Sequence, residues 1–417
     1  MAKRSFSNTL YTNDNLYVLS GLNSETVDLI YLDPPFNSKR TYSAPVGSKT
    51  AGASFKDMWT WKDVDEYHLD TLADQFPILA RYFADVGVIH SKPMKAYLTY
   101  MSQRIIEMHR VLKETGSLYL HCDPTAGHYL KLLLDCVFVD SGGTFRNEIV
   151  WCYTGPGSPT MRQFNRKHDT IFWYTKSKHW AFNKDAVRLP YKDPNQSFRK
   201  AFDATGEGWT EKDLAKLREK GKVPETWWQD IAIVARSKRE NTGYPTQKPL
   251  ALLKRIVLAS SNEGELVLDP FCGCATTCVA AQQLDRKWIG IDIEKQAVNV
   301  LIQRLSDDAG LFKDFIATNQ IPKRTDLKEV LPSEPVKKRL YKEQDKKCHA
   351  CGREFEIWNL EIDHILPKSK GGGDYSENYQ LLCGNCNRIK GDRPMAYLQM
   401  KIETRERMLK NKILFGE

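Results

Sequence analysis

Residues 265–277 read Glu265-Leu266-Val267-Leu268-Asp269-Pro270-Phe271-Cys272-Gly273-Cys274-Ala275-Thr276-Thr277, which predicts a buried strand, a tight turn of small residues and a helix start. Residues 287–292 form a second apolar strand, which ends in Asp292. This order is typical of an α/β unit that binds a nucleoside, with the closing acid on the ribose hydroxyls. The turn has one glycine, and no Gly-Lys-Ser/Thr follows it. We therefore expect a cofactor without phosphates, and S-adenosylmethionine is the leading candidate.

A second feature is the tetrapeptide Asp33-Pro34-Pro35-Phe36, which directly follows the apolar run 27–32. Asp33 offers carboxylate oxygens, and Pro34 offers a carbonyl without an N–H of its own. The two prolines fix their φ angles, so these acceptors are aimed in advance at a flat base with an exocyclic amine. Phe36 can stack on a base that has left its helix. The alternative is a Pro-Pro turn that closes a strand, with Phe36 in the core.

On these two segments the chain, over roughly residues 5–320, resembles the β-class amino-methyltransferases of DNA. The resemblance implies an α/β fold with a Rossmann-like, doubly wound sheet, and methyl transfer from S-adenosylmethionine to adenine N6 or cytosine N4. It assigns catalysis to Asp33, Pro34, Pro35 and Phe36. The block Tyr244-Pro245-Thr246-Gln247-Lys248-Pro249 matches a family segment at the methionine end of the cofactor, and Asp14 lies near the cofactor adenine. The predicted cofactor residues are Asp14, Lys248, Asp269, Pro270, Phe271, Cys272, Gly273, Thr276, Thr277 and Asp292.

The order of the segments and two departures from the family pattern refine this expectation. The catalytic tetrapeptide precedes the cofactor loop, which is the permuted β-class order of DNA enzymes. Ala275 replaces a second glycine, which is acceptable only if its φ angle is negative. Asn13 also replaces a glycine, beside the cofactor adenine. An initial Asp is commoner among adenine enzymes than among cytosine enzymes, and the absence of any Pro-Cys dipeptide excludes a cytosine C5-methyltransferase.

A third feature is a pair of Cys-x-x-Cys knuckles about thirty residues apart. Cys348, Cys351, Cys383 and Cys386 have the spacing of a closed tetrahedral zinc site. The polar start of the chain predicts no signal peptide, so disulfides are not expected.

Between and after the knuckles, residues 346–395 resemble the HNH nucleases, whose fold is a ββα-metal module. The resemblance carries over to Asp363-His364, Asn378 and Asn387. It implies that His364 is a general base oriented by the backbone or by Asn378. Asp363 and Asn387 would then hold one Mg²⁺ or Mn²⁺ ion, which prefers such oxygen ligands. The alternative is an HNH fold that binds DNA without cutting it.

Other segments complete the domain plan. We expect a methyltransferase domain at 1–322, with an aromatic and basic target-recognition region at 154–243. A basic linker at 323–345, the zinc module at 346–395 and a C-terminal helix at 396–417 follow it. The segment 38–55 lacks periodicity and predicts either a mobile lid or an ordinary long loop. His121 and Asp123 end a predicted strand, and we leave both outside the catalytic set because a strand-end His is more often satisfied by the backbone.

Composition agrees with a DNA enzyme. The 417 residues carry a net charge of +9, of which about +5 falls after residue 320 (20 Lys/Arg against 15 Asp/Glu). This bias suits phosphate contact, and it would equally suit plain solubility. No apolar run approaches the roughly 20 residues of a membrane span, so no membrane partner is expected. The expected location is the cytoplasm, for a bacterial, archaeal or phage-encoded protein. The partner is double-stranded DNA.

Together these features predict a bifunctional DNA enzyme, an amino-methyltransferase fused to an HNH nuclease. A single-chain restriction–modification activity follows as a hypothesis. One HNH site per chain predicts nicking unless the protein forms a homodimer. The alternatives are a methyltransferase whose HNH module only binds DNA, and a non-catalytic DNA-binding regulator.

Overall fold

The structure is a computed structural model in which a set of segments is described. These are residues 8–37, 40–44, 54–60, 63–64, 76–155, 162–193, 210–234, 240–294, 296–307, 315–393, 395, 397–399 and 401–402. The sequence expectations for 396–417, and for parts of 38–55 and 154–243, concern stretches that lie largely outside these residues.

In the described part of the chain one nine-stranded sheet organises the first three quarters of the sequence. Its strands are β1 (Thr9–Thr12), β2 (Val27–Leu32), β5 (Leu112–Cys122), β6 (Thr144–Cys152), β7 (His168–Thr175), β8 (Trp227–Trp228), β9 (Leu266–Asp269), β10 (Lys287–Asp292) and β11 (Ile316–Thr318). A hairpin, β3 (Arg40–Ser43) and β4 (Ser54–Asp57), stands apart from it. The order across the sheet is β11-β1-β10-β9-β2-β5-β7-β6-β8. Strand β2, which precedes the tetrapeptide Asp33–Phe36, and β9, which precedes the expected cofactor loop, are thus neighbours, paired in parallel with Leu29 opposite Val267.

Helices cover both faces of this sheet. They are α1 (Asn15–Gly21), α2 (Pro77–Ile89), α3 (Lys92–Val111), α4 (Gly127–Leu134), α5 (Glu211–Lys220), α6 (Leu250–Ser260), α7 (Thr276–Gln283) and α8 (Gln296–Asp307). One buried cluster packs helices α1, α2, α3 and α4 against one face of the sheet. A second cluster packs α6, α7 and α8 against the other face. Because both faces are covered, β2 and β9 are continuously buried apolar strands. The predicted doubly wound α/β fold is confirmed.

The antiparallel strand β7 matters for the site. It pairs with β5 so that its first residues lie beside the last residues of β5, with Cys122 opposite Thr170. The start of β7 therefore lies at the edge where β2, β5 and β9 end. The predicted recognition region 154–243 contributes β7 and β8 to the main sheet, and its helix α5 has no buried side chain.

The predicted lid segment differs from its expectation of a structureless loop. Residues 40–43 and 54–57 pair as an antiparallel hairpin, with Tyr42 opposite Phe55. Threonine, tyrosine and phenylalanine favour extended backbone, so the segment forms strands although it lacks the apolar alternation that would predict them. The tip of the hairpin lies outside the described residues.

The C-terminal module has a core of its own. It contains α9 (Glu334–Glu343), β12 (Leu360–His364), β13 (Tyr379–Cys383) and α10 (Gly384–Lys390). The two strands form an antiparallel hairpin, and Val336 and Leu340 of α9 pack into the same apolar cluster as Leu360 and Leu381. Helix α9 falls within the expected linker 323–345 but belongs to the core of the module.

The rest of that expected linker is attached to the sheet domain by hydrogen bonds. Thr325 and Asn23 exchange two bonds of 2.7 and 2.8 Å, and Asp326 accepts from the Ser24 N–H at 2.9 Å. A Cβ on Gly21 would lie 2.0 Å from the Pro322 carbonyl oxygen, so only glycine permits this approach. In the described residues this segment is therefore docked against the α1–β2 connection rather than surrounded by solvent.

Candidate functional site

A cavity of about 550 Å³ opens at the ends of β1, β2, β9 and β10. It is lined by the whole tetrapeptide, namely Asp33, Pro34, Pro35 and Phe36, and by all ten predicted cofactor residues. The structure thus brings together two segments that lie more than 230 positions apart in the chain. The adjacency of β2 and β9 produces this, because the carboxyl ends of neighbouring parallel strands open into one crevice.

Asp33 carries one paired and one unpaired oxygen. Its Oδ2 accepts from Lys248 Nζ at 2.5 Å, and the two side chains are 17% and 9% exposed. Its Oδ1 is buried and has no hydrogen-bond partner among the described residues. An unpaired buried acceptor is costly unless a donor reaches it. The carboxylate is therefore arranged to receive a donor from the cavity.

The end of the tetrapeptide is held by the neighbouring hairpin. Asn37 follows Phe36 with a left-handed φ of 60°, and its N–H donates to Asp57 Oδ1 at 2.6 Å. Phe36 is half-buried, packs against the core and lines the cavity. The ring therefore packs against the core, as one alternative expected, and also borders the cavity, where stacking on a base stays a prediction.

The cofactor loop is closed by Asp269 at the end of β9. Its Oδ1 accepts from the Phe271 N–H at 3.1 Å, and its Oδ2 accepts from Thr277 Oγ1 at 2.5 Å. Burial raises the pKa of Asp269 to about 7, and the bonds from Thr277 and Phe271 oppose that shift. Asp269 therefore shapes the loop between β9 and α7 through its own hydrogen bonds.

Two backbone positions in this loop have a left-handed conformation. Gly273 has a φ of 49°, and a Cβ there would lie 3.0 Å from the Tyr244 ring, so glycine serves both the turn and the close packing. Ala275 has a φ of 58° and caps the start of α7. The expectation of a negative φ at Ala275 is wrong. The chain must turn within six residues from β9 into α7, and the fully buried Ala275 adopts the strained conformation that this turn requires.

Asp292 ends β10 as predicted. Its Oδ2 accepts from the Gly273 N–H and its Oδ1 from the Glu294 N–H, each at 2.8 Å. Burial raises the pKa of Asp292 to about 6, although both backbone bonds lower it. The acid is thereby held against the cofactor loop at the edge of the cavity.

Asp14 reaches the cavity through a buried network that the sequence reading missed. It caps α1 through the Leu16 N–H and accepts from Arg104 at 2.8 Å. Arg104, 1% exposed, also donates to Asn15, whose side chain donates to the Pro270 carbonyl at 2.7 Å. Arg104 lies on the amphipathic helix α3, where a buried arginine has no periodic signal that would mark it as functional.

The charge of the lining fits the expected cofactor. Seven acidic residues line the cavity, namely Asp14, Asp33, Asp57, Asp63, Asp269, Asp292 and Glu294. Lys248 is the one lysine or arginine in the lining formed by the described residues. Phosphates favour cationic or amide-rich cradles, whereas a sulfonium cation is favoured by nearby carboxylates. The residues present therefore fit S-adenosylmethionine better than a phosphorylated nucleotide.

The four predicted zinc ligands converge in the C-terminal module. The sulfur atoms of Cys348, Cys351, Cys383 and Cys386 all lie within 4.8 Å of one another. In the part of the chain that the structure describes, this is the one group of three or more His, Cys, Asp or Glu side chains suited to a metal. Four thiolates at this separation fit a closed tetrahedral zinc site.

His364, at the end of β12, has a partner that differs from the expected one. Its Nε2 lies 2.9 Å from Asp374 Oδ1, and Tyr379 and Lys368 also donate to that carboxylate. Asn378 does not orient the ring in the described structure: its amide bonds the Leu366 N–H and the Leu366 and Gly373 carbonyls. Asn378 thus stabilises, through these three hydrogen bonds, the loop that carries Asp374. The sequence reading missed Asp374 because a Gly-rich turn brings it back to the strand.

The two predicted divalent-metal ligands are occupied by other partners. Asp363 accepts from the fully buried Lys390 at 3.0 and 3.1 Å and from Gln380 at 2.7 Å. Asn387 donates to Glu361 at 2.6 Å. A buried ammonium therefore pairs with the carboxylate that was expected to bind Mg²⁺, because Lys390 lies one turn after Asn387 on α10. The assignment of a divalent ion to Asp363 and Asn387 stays a prediction.

Comparisons with known proteins agree with this geometry. A model of the N6/N4 family described as "DNA methylase" matches residues 27–304, and a model described as "HNH endonuclease" matches residues 348–393. The DNA adenine methyltransferase YhdJ of Escherichia coli K12 is 28% identical over 331 residues, covering 78% of this chain and 93% of its own. The type II methyltransferase M.BglII of Bacillus subtilis is 28% identical over 306 residues, covering 72% and 69%.

Solved structures also match part of the chain, and two of them serve for comparison. The M1.HpyAVI complex with S-adenosylmethionine has a TM-score of 0.40 at 19% identity, covering 71% of this chain and 98% of its own. The cytosine-N4-specific PvuII DNA methyltransferase has a TM-score of 0.44 at 15% identity, covering 76% and 97%. None of the described helices has both the length and the apolar character that crossing a membrane requires. The family match spans well over half of the sequence, and the chain belongs to the N6/N4 DNA methylase family, with an HNH endonuclease domain at its C-terminal end.

Proposed function

We propose that this DNA methyltransferase transfers the methyl group to the exocyclic amine of a base flipped into the cavity, with adenine N6 favoured. The single observation that carries the proposal is the buried, unpaired Oδ1 of Asp33 beside the cofactor loop. An ionised carboxylate only accepts hydrogen bonds, and an exocyclic amine is a donor of matching geometry. Bound S-adenosylmethionine supplies the electrophilic methyl group.

The roles of the tetrapeptide follow from its surroundings. Asp33 Oδ1 and the Pro34 carbonyl would accept the two amine hydrogens and turn the nitrogen lone pair towards the methyl donor. Lys248 pairs with Asp33 through Oδ2 and compensates its charge. The carboxylate therefore stays in position while the cavity holds no flipped base. Phe36 offers one face to the base. The catalytic contribution is therefore orientation in a fixed electrostatic environment.

The preference for adenine rests on the initial Asp of the tetrapeptide and on the adenine methyltransferase among the relatives. The test is the nucleoside composition of unmethylated plasmid DNA after incubation with the full chain and S-adenosylmethionine, measured by mass spectrometry. N6-methyladenine is the expected product. N4-methylcytosine would keep the amine mechanism and reverse the base preference, and 5-methylcytosine would contradict the mechanism.

A second proposed activity is DNA cleavage or nicking by the HNH domain, and the His364–Asp374 pair favours it. With Asp374 accepting from Nε2–H, a neutral His364 keeps at Nδ1 the lone pair that a general base needs. A module that only binds DNA has no need of a histidine with this orientation. Dependence on Mg²⁺ or Mn²⁺ remains a prediction from the family resemblance, since Asp363 is paired with Lys390.

The nuclease proposal is tested by plasmid integrity on a gel, with Mg²⁺ in one reaction and a chelator in the other. His364→Ala is the test variant, and His349→Ala, an exposed histidine of the same module, is the matched control. If the parent and His349→Ala cut the plasmid and His364→Ala does not, the result supports a nuclease. Intact DNA in every reaction supports the alternative that the HNH module binds DNA only.

If both activities are present, we propose a single-chain restriction–modification system, in which methylation protects the site that the nuclease cuts. Cleavage should then fall as substrate methylation rises. A rise instead would indicate a nuclease that depends on methylation. Nicked plasmid would indicate one HNH site acting alone, and linear plasmid would indicate a homodimer.

A further inference from the structure

A buried polar network links three strands, β2, β5 and β7, to Tyr153, the residue after β6, and none of the roles above uses it. Tyr31 Oη lies 2.8 Å from His121 Nδ1, and His121 Nε2 lies 3.1 Å from Asp169 Oδ2. The hydroxyl of Tyr153 donates to Asp169 Oδ1 at 3.1 Å. Tyr31 is 2% exposed and His121 is fully buried. The network forms because the antiparallel β7 places Asp169 beside the end of β5.

The two ends of this network fix the orientation of the imidazole. With Asp169 accepting from Nε2–H, a neutral His121 accepts from the Tyr31 hydroxyl at Nδ1. Burial raises the pKa of Asp169, but its hydrogen bonds with His121 and Tyr153 and the nearby charge of Lys248 oppose burial, and the net pKa is lowered. A satisfied buried network of this kind holds one geometry more rigidly than apolar packing does.

The imidazole touches the tetrapeptide at its far end. The Phe36 and His121 rings are stacked, with centroids 6.3 Å apart and planes 22° apart, and the Trp151 ring meets His121 edge-on at 5.9 Å. Tyr31 lies near the end of β2, two residues before Asp33, and lines the cavity. The network therefore contacts the strand that directly precedes Asp33 and the ring that is proposed to stack on the base.

We propose that His121 is a positioning residue for methyl transfer: its ring, oriented by Tyr31 and Asp169, sets the plane of Phe36 and thereby the position of the flipped base. The inference rests on the proposed stacking of the base on Phe36. Among the described residues His121 is not part of the cavity lining, but it bonds Tyr31 and stacks on Phe36, which both line the cavity, and it acts through them. The structure thus gives a role to a strand-end histidine that the sequence reading set aside.

The test compares two single-oxygen deletions on neighbouring strands. Tyr31→Phe removes the hydroxyl that bonds His121. Tyr119→Phe is the matched control, because Tyr119 is equally buried, lies opposite Tyr31 in the sheet and bonds Ser260 instead. Single-turnover methylation should fall roughly tenfold or more for Tyr31→Phe and should stay at the parental rate for Tyr119→Phe. The dissociation constant for S-adenosylmethionine should remain parental in both.

Asp169 provides a rescue series. Asp169→Ala removes the acceptor at Nε2 and should lower the single-turnover rate by about 10- to 100-fold, with a smaller change in KM for DNA. Asp169→Asn keeps an acceptor oxygen and should recover most of the rate. With 2-aminopurine at a methylation site mapped beforehand, Asp169→Ala should change the fluorescence of the flipped base and Asp169→Asn should not.

Three outcomes would overturn the inference. These are parental rates in both Tyr31→Phe and Asp169→Ala, equal losses in Tyr31→Phe and Tyr119→Phe, and losses of rate matched by a loss of cofactor binding. The last two would indicate a purely structural role. An Asp33→Asn variant separates this inference from the proposed function: a parental rate there contradicts the proposed function itself. An inactive Asp33→Asn beside a fully active Asp169→Ala contradicts only the positioning role.

Discussion

The Asp33–Lys248 pair makes a quantitative prediction about the stability of the site. Lys248→Met removes the cation that pairs with Asp33 Oδ2, and Oδ1 already lacks a partner in the described residues. Removing one member of a buried ion pair costs about 3–5 kcal/mol. We expect the lower end, about 3 kcal/mol, because Asp33 keeps 17% exposure and is partly hydrated.

A double-mutant cycle isolates the pair from the loss of the lysine stem. In Asp33→Asn/Lys248→Met no charge is left without a partner, so the double variant should be about 2 kcal/mol more stable than the sum of the two single losses. The control is Lys216→Met on the exposed helix α5, which should stay within about 0.5 kcal/mol of the parent.

Urea unfolding of the full chain, followed by tryptophan fluorescence, measures these differences. Nine of the ten tryptophans precede residue 320, so the signal reports on the methyltransferase region. Losses that simply add, or a Lys248→Met variant as stable as the parent, would refute the buried pair and the electrostatic reasoning built on it.

Four further predictions test other parts of the molecule. His364→Ala should abolish DNA cleavage on a plasmid gel and leave methyl incorporation unchanged; loss of both would contradict two separate sites. Cys351→Ala should lower the zinc content and expose the C-terminal module to protease, while Cys136→Ala, outside the cluster, should change neither. Burial raises the pKa of Asp269 from 3.8 to about 7, so the folded apo protein holds a proton that the unfolded chain releases, and this contribution to stability is lost as pH rises towards and through about 7. The melting temperature of Asp269→Asn should therefore fall less than that of the parent between pH 5 and pH 8, and equal slopes would count against the shift. Ala275→Gly should change stability by less than about 1 kcal/mol, because relief of a left-handed alanine, about 1–2 kcal/mol, is offset by the added freedom of the unfolded chain, while Ala275→Val should destabilise clearly in the same urea titration.

The parts of the site that sequence predicts well are those built from contiguous segments at strand ends. Asp33 to Phe36 and Asp269 to Thr277 each follow a short apolar strand, and a parallel sheet places such ends side by side without further information. The zinc ligands are predictable for a similar reason, because two knuckles carry their own spacing.

The parts that were missed depend on pairings between distant side chains. A turn brings Asp374 to His364, and Lys390 on α10 contacts Asp363 on β12. Neither contact has a periodic or compositional signal in the sequence. Arg104 looks like an ordinary helix residue until the fold brings Asp14 and Asn15 beside it.

The sequence pattern also did not predict the backbone conformation of Ala275 or the docking of the segment around Asp326. The left-handed φ of Ala275 follows from closing the turn between β9 and α7, which the residue type alone argued against. The segment around Asp326 was expected to be a linker because it is charged and proline-rich. The same polar residues bond the α1–β2 connection instead, since Asn23 and Ser24 present matching donors and acceptors.

The most direct test of the central claim is methyl transfer from labelled S-adenosylmethionine to DNA by the parent, by Asp33→Asn and by Asp140→Asn. Asp140 is an exposed acid that lies away from the cavity lining and serves as the matched control. We expect Asp33→Asn to bind the cofactor normally but to transfer methyl groups about 10²- to 10³-fold more slowly, while Asp140→Asn matches the parent. Methylation by Asp33→Asn at the parental rate would show that the Asp33 carboxylate does not orient the amine.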